Sequence, residues 1–125
     1  MSNVSQLNPH QFKKMYPNGA YAYILLWGSD KIRPSKIMYP FRLLVEQGPN
    51  CTEQFYAKDL KTSTLKGLGY YPYHVSYASS DLEKVKDHFK LSIRRVVEGR
   101  IKWLQKQQED IDEIAQSIVD KINKF

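Results

Sequence analysis

The chain has 125 residues, of which 42% are hydrophobic and 26% charged, and nineteen Lys and Arg against thirteen Asp and Glu give a formal net charge of +6. The mean hydropathy of −0.56 and the 13% aromatic content are typical of a folded globular chain rather than a disordered one. A single cysteine, Cys51, excludes an internal disulfide and an all-cysteine metal site.

Composition also bears on where the protein acts. No run approaches the roughly 18 uncharged apolar residues of a membrane-spanning helix, and the first residues lack the apolar segment of a secretory signal. We therefore expect a cytoplasmic protein that has no membrane partner. Nothing in the sequence indicates a cofactor or a small-molecule substrate.

Turn signals bound a first helix and a first strand. Asn8 and Gln11 have the spacing of an N-cap and its capping-box partner. The sequence Pro-Asn-Gly at 17–19 cannot continue a helix, so we predict a short helix that ends near Tyr16. The apolar and aromatic run 20–27 then predicts a strand in the middle of a sheet.

Further extended segments complete the predicted sheet. The run 37–47 contains Pro40, which cannot donate a ladder hydrogen bond and so indicates a sheet edge or a bulge. A turn at 48–51 with an extended segment after it predicts a hairpin. Residues 59–72 are expected to form a loop, and the alternation in 73–78 predicts a fourth strand.

The last third of the chain predicts one long amphipathic helix. Ser80 and Glu83 have the spacing of a capping box, and no proline follows before about Asn123. Apolar residues recur at helical spacing along one face. The expected fold class is thus α+β, with a short N-terminal helix, a small mostly antiparallel sheet of about four strands, and this long C-terminal helix.

The length of this helix raises a question about its second half. About 43 residues would make a helix of roughly 65 Å, whereas a compact chain of this size is about 35 Å across. Gly99 is the weak point, since an interior glycine costs about 1 kcal/mol of helix stability. Either the helix kinks near Gly99 and folds back, or it stays straight and its second half meets another chain.

In both cases the apolar residues of the second half need a surface to cover them. We expect self-association or a protein partner through residues 100–125. The predicted organisation is an α+β domain over 1–98 and a helical extension over 99–125. The expected interface residues are Ile101, Leu104, Ile111, Ile114, Ile118 and Ile122.

Charge is distributed unevenly along the chain. Residues 83–106 carry eight basic and three acidic side chains, whereas residues 107–125 carry two basic and five acidic ones. A cationic segment of this kind attracts polyanions. The alternative is a solvated helix face with no ligand, which is the usual role of a charge run.

A nucleic-acid interface is the leading functional hypothesis. Lys84, Arg95, Lys102 and Lys106 project within roughly 40° of one another on a helix, opposite the apolar face, and Arg94 lies on the flank. The expected loop adds cations that can pair with phosphates and aromatic rings that can stack on bases. Its candidate residues are Lys58, Lys61, Lys66, Tyr70 and Tyr71. The sequence does not distinguish DNA from RNA.

Signals for catalysis are weak. The pair Gly67 and Gly69 lacks the third glycine and the following helix of a dinucleotide-binding loop. Cys51 and the histidines have no metal-ligand spacing, and His74 is expected to be a sheet-face side chain rather than a general base. We therefore expect a protein that is not an enzyme. The alternative to nucleic-acid binding is a protein-interaction or inhibitor module, of the kind found among phage and mobile-element accessory factors, that acts through its C-terminal helix.

Overall fold

The structure, a computed structural model, describes residues 4–29, 33–72 and 74–125. A 3-10 turn (Val4–Gln6) and helix α1 (Pro9–Met15) precede five strands, and helix α2 (Leu82–Asn123) follows them. The strands are β1 (Ala20–Trp27), β2 (Pro34–Gln47), β3 (Glu53–Asp59), β4 (Leu65–Gly69) and β5 (Tyr77–Ser79). They form one antiparallel sheet in the order β4-β3-β2-β1-β5. The predicted α+β architecture is confirmed, with five strands instead of about four.

Each face of the sheet carries its own apolar cluster. On one face, which we call the α1 face, Phe12 of α1 packs with Ile24, Leu43 and Phe55 of the central strands. Phe12 and Phe55 meet edge to face with their ring centroids 5.2 Å apart. The capping box of α1 is formed as predicted, since the Gln11 amide donates to the Asn8 side chain and the Asn8 amide to that of Gln11.

The opposite face, which we call the α2 face, is covered at β1 by the first turns of α2. Val85 and Phe89 pack against Tyr23 and Leu25 there. The hydroxyl of Tyr23 lies 2.8 Å from Nδ1 of His88, so this buried ring also holds the helix by a hydrogen bond. The position of α2 on the sheet therefore depends on its first two turns.

Strand β2 contains the bulge that Pro40 indicates. Met38 pairs with Ile24 and Phe41 with Ala22, so β2 has one residue more than β1 between these two pairs. The ladder to β3 begins only at Phe41, so nothing on that side requires an amide hydrogen from Pro40. The bulge is confirmed, while β2 as a whole lies in the interior of the sheet.

Three local predictions are wrong. The expected loop 59–72 contains β4, an edge strand that pairs with β3 through residues 65–69. The predicted strand 73–78 is shorter and begins later, at Tyr77, while residue 73 lies outside the described residues. The predicted Ser80 cap is replaced by Asp81, whose carboxylate accepts from the Glu83 amide at 3.0 Å. Strand β2 begins at Pro34, earlier than the predicted run 37–47.

Helix α2 is continuous for 42 residues and passes through Gly99 without a break in the helix. The chain divides into two compact units, Met1–Lys90 and Leu91–Phe125. The proposed division of roles between 1–98 and 99–125 stays a prediction. A Cβ atom at Gly99 would meet no other atom within 4 Å, so this glycine is not required by packing.

Gly19, in contrast, is required by its conformation and its surroundings. Its φ is +82°, and a Cβ atom there would lie 2.6 Å from Cδ2 of Leu44 and 2.7 Å from the carbonyl oxygen of Leu43. Glycine adopts positive φ without steric cost, whereas any residue with a Cβ atom is strained there.

We expect Gly19→Ala to lower the free energy of unfolding by about 2 kcal/mol, because alanine is strained at positive φ and its Cβ atom would clash with Leu43. Gly99→Ala is the matched control, and we expect it to leave the protein as stable or stabilise it by up to about 1 kcal/mol. Urea unfolding followed by circular dichroism measures both. Equal effects of the two substitutions would contradict this account of Gly19.

Candidate functional site

The cationic residues predicted on α2 are all exposed. Lys84 lies in the first turn of the helix, and Arg94, Arg95, Lys102 and Lys106 follow it. Within the described part of the chain, Arg94, Arg95 and Lys102 form no ion pair with a carboxylate. We call these three residues the helix surface. Their charges are available to an anionic ligand.

Lys106 differs from the other cations because an acidic residue lies beside it. Its Nζ is 3.3 Å from Oδ1 of Asp110, one helical turn further on. Such exposed pairs are weak, but they reduce the positive potential at the lysine. Arg100 is occupied in another way, since its guanidinium lies 4.3 Å from the centre of the Trp103 ring. The positive potential of α2 therefore falls towards its acidic C-terminal part.

The predicted Lys/Tyr loop is divided by the sheet. Lys58 pairs with Leu65, whereas Lys66 pairs with Ala57 on the same two strands. Because side chains alternate along a strand, Lys58 and Lys66 lie on opposite faces. Lys61 lies in the turn between β3 and β4. The structure does not bring these three lysines together.

The turn between β3 and β4 is held by Asp59. Its Oδ1 accepts hydrogen bonds of 2.8 Å from the amides of Lys61 and Thr62. These bonds favour the charged carboxylate and hold the pKa of Asp59 below its ordinary value, with that of the Thr62 amide having the larger effect. Lys61 is thus fixed at the backbone, next to a carboxylate that stays ionised at neutral pH.

Lys66 and Tyr71 line a shallow cleft on the α1 face of the sheet. The cleft has a volume of about 250 Å³, and Lys36 and His74 also line it. Its described lining contains no carboxylate, serine or cysteine. Ser76 is engaged elsewhere, because its Oγ accepts from the Leu25 amide at 2.9 Å. Tyr70 packs edge to face against Tyr71, with the ring centroids 4.8 Å apart.

A second group of cationic and aromatic residues, which the sequence does not predict, lies on the α2 face of the sheet. Tyr21, Arg42, Lys58 and Leu65 pair in turn and form one row across β1, β2, β3 and β4. Tyr56 lies on the same face, two residues before Lys58. Only the register of the sheet brings these residues side by side, although the alternation of polar residues in β2 and β3 is a partial signal.

Two contacts fix the geometry of this group. The guanidinium of Arg42 donates to the carbonyl oxygen of Asn18 from both Nε and Nη2, and it lies 5.7 Å from the centre of the Tyr21 ring. Tyr39 is stacked against Phe89 with the ring planes 8° from parallel, yet it is 72% exposed. The ring centroids are 6.1 Å apart, so the parallel rings are offset rather than face to face, and most of the Tyr39 ring is open. We call Tyr39, Arg42, Tyr56 and Lys58 the sheet surface.

The predicted interface residues of the second half of α2 are all uncovered. Their exposed fractions lie between 49% and 62%, and Val97, Val119 and Phe125 are exposed as well. Exposed apolar residues are common singly, but a contiguous row of them marks an interaction site. The predicted residues are Ile101, Leu104, Ile111, Ile114, Ile118 and Ile122.

Comparison with known proteins provides no family assignment: no protein-family model, curated protein or solved structure matches this chain. Among the described residues, no helix is long and apolar enough to cross a membrane. In that same part of the chain, no three His, Cys, Asp or Glu side chains are grouped so that they could hold a metal ion.

Phe89 and Tyr39 lie in contact but have opposite exposure, so their truncations should have different effects. Phe89 is 7% exposed, and we expect Phe89→Ala to lower the free energy of unfolding by about 3 kcal/mol. Tyr39→Ala should lower it by less than about 1 kcal/mol. Urea unfolding measures both values. A large loss of stability in Tyr39→Ala would show that this ring is structural and not free for a ligand.

Proposed function

We propose that this is a cytoplasmic, non-enzymatic accessory protein that binds nucleic acid. The observation that supports this function most directly is the helix surface, because Arg94, Arg95 and Lys102 are exposed and have no acidic partner in the described structure. Lys84 and Lys106 extend the same basic segment at its two ends.

The helix surface is suited to phosphates rather than to base edges. Arginine and lysine side chains pair with phosphate oxygens, and the counterions that they release make the binding dependent on salt. Arg95 and Lys102 are two turns apart on one side of α2, which allows both to contact one strand of a nucleic acid. Such contacts position the ligand but do not read its sequence.

The sheet surface is suited to unpaired bases. Tyr39 presents a ring that is 72% exposed and lies parallel to the ring of Phe89. Arg42 and Lys58 are cross-strand neighbours that can pair with the adjoining phosphates. Aromatic rings beside cations are the usual elements of single-strand binding surfaces. The proposed ligand is therefore nucleic acid with single-stranded character.

The apolar row of α2 favours a second candidate function, which is association with a protein through residues 100–125. Its support is the exposure of the six predicted interface residues. Arg95 and Lys102 lie outside the apolar row, so one protein can have both functions.

Charge reversal tests the helix surface. We expect Arg95→Glu with Lys102→Glu to weaken binding of a fluorescent oligonucleotide at least about tenfold at low salt, and to reduce the slope of log K against log salt by about 1.5. Lys121→Glu with Lys124→Glu is the matched control, because it changes the net charge equally in the acidic end of the helix. Fluorescence anisotropy at several salt concentrations measures both pairs. If both double variants lose the same affinity for the oligonucleotide, net charge alone explains the loss. That result would contradict the proposed surface.

Truncation of Tyr39 tests the sheet surface. We expect Tyr39→Ala to weaken single-strand binding about tenfold, since one stacked base contributes about 1–3 kcal/mol, and to leave duplex binding unchanged. Tyr70→Ala is the comparison, because Tyr70 is also exposed but lies in the segment after β4. The same anisotropy assay serves for both. A loss confined to Tyr70→Ala would place the stacking site in the predicted Lys/Tyr segment instead.

A further inference from the structure

The apolar row of α2 has a regular seven-residue pattern. Five apolar residues are spaced seven residues apart, and the residue four positions after each of the first four lies on the same row. In heptad notation the first set occupies d and the second set occupies a. The d residues are Val97, Leu104, Ile111, Ile118 and Phe125, and the a residues are Ile101, Gln108, Ala115 and Ile122.

The remaining positions have the composition of a coiled coil. Apart from Gly99 and Trp103, every residue at the outward positions b, c and f is polar. All the a and d residues from Val97 to Phe125 are exposed in the structure of the single chain. The helix therefore presents an exposed a/d face from Val97 to Ile122, almost four heptads long, and Phe125 follows two residues after the helix ends at Asn123.

We propose that this face is covered by other copies of the same chain, in a parallel, in-register bundle of three or four helices that begins at Val97. This proposal narrows the second candidate function to self-association, and it is independent of nucleic-acid binding.

Residue Gln108 favours the parallel, in-register alignment. It is the one polar side chain at the a and d positions from Val97 onward. Its Nε2 donates to Oδ1 of Asp112 in the same helix at 3.1 Å, which leaves a second N–H and the carbonyl oxygen free to pair. In a parallel bundle in register these groups meet their own copies. A single polar residue at an a position is a known determinant of register.

The flanking positions agree with this alignment. In a parallel bundle each g residue lies beside the next e residue of a neighbouring chain, which pairs Arg100 with Gln105, Gln107 with Asp112, and Ile114 with Val119. None of these pairs joins like charges, and the last pair joins two exposed apolar residues.

An antiparallel pairing that fills the same layers is less favourable. It places Gln108 against Ile111 of the second copy, so that the buried amide loses its partner. It also brings Arg100 beside Lys121, and this repulsion occurs twice in a symmetric pair. Charge and hydrogen bonding thus both disfavour it.

The residue types indicate more than two helices. Isoleucine is found at position a (Ile101, Ile122) and also at position d (Ile111, Ile118). This combination favours trimers and tetramers over dimers. Ile114 at g and Val119 at e widen the apolar face beyond what a two-stranded seam covers.

Charge also determines where the bundle begins. Upstream of Val97 the same heptads place Arg94 at a and Lys90 at d. In a bundle of copies, these cations would lie next to the same cations of the neighbouring chains, and the like charges would repel. The chains are therefore expected to separate before Val97, which leaves the basic residues accessible.

Light scattering coupled to size-exclusion chromatography tests the number of chains. We expect a mass three or four times the 14.7 kDa of one chain, at high salt and with an absorbance ratio that excludes bound nucleic acid. Ile118→Asp should yield a single chain, whereas the neighbouring outward substitution Ser117→Asp should leave the assembly intact. Near-ultraviolet circular dichroism checks that the sheet stays folded in both variants.

A cysteine cross-link tests the direction of the helices. In Cys51→Ser with Ile122→Cys, mild oxidation should join chains in pairs within the assembly, because a parallel, in-register bundle brings residue 122 of one chain next to residue 122 of its neighbour. An antiparallel pair would hold them about 40 Å apart. A monomer or dimer mass, or an assembly without the cross-link, would overturn the proposal. Each of these results leaves the anisotropy test of nucleic-acid binding unaffected.

Discussion

The structure depends on a constraint that water imposes on helix α2. An isolated helix gains little stability from its backbone, so most of it must come from apolar residues that another surface covers. In α2 only Val85 and Phe89 are buried, and both lie in the first two turns. The remaining apolar row stays in contact with water in the single chain. Helix α2 therefore exposes both an apolar row and the cations Arg95 and Lys102, which lie outside that row.

Most of the architecture follows from periodicity in the sequence. The helical spacing of the apolar residues in α2 and the capping box at Asn8 each have one local structural meaning, and both are confirmed. The proline in β2 indicates a sheet edge or a bulge, and the structure has the bulge. Strand β4 is different, because Gly67 and Gly69 weaken its signal and its residues are largely exposed at a sheet edge. The start of α2 is also ambiguous in sequence, since Ser80 and Asp81 are adjacent and both residue types cap helices well.

The sequence predicts only part of the candidate site. Cations on one helix can be placed by the 100° period, which is why the helix surface is found from sequence alone. Residues on different strands can be placed only when the register is known. A single-residue offset places Lys58 and Lys66 on opposite faces, and the same register places Arg42 beside Lys58. In place of the predicted Lys/Tyr loop, the structure therefore has a row of side chains across the sheet.

The extra residue in β2 has a consequence for how this strand can vary. Before it, odd-numbered residues such as Ile37 face the α2 side, and after it even-numbered residues such as Arg42 do, because the bulge shifts the alternation by one. Tyr39 and Arg42 share one face only for this reason. Loss of one residue here would exchange the inside and outside of half the strand, so Phe41 and Leu43 would leave the core as Arg42 entered it. During evolution this segment can therefore accept substitutions but not the insertion or deletion of a residue.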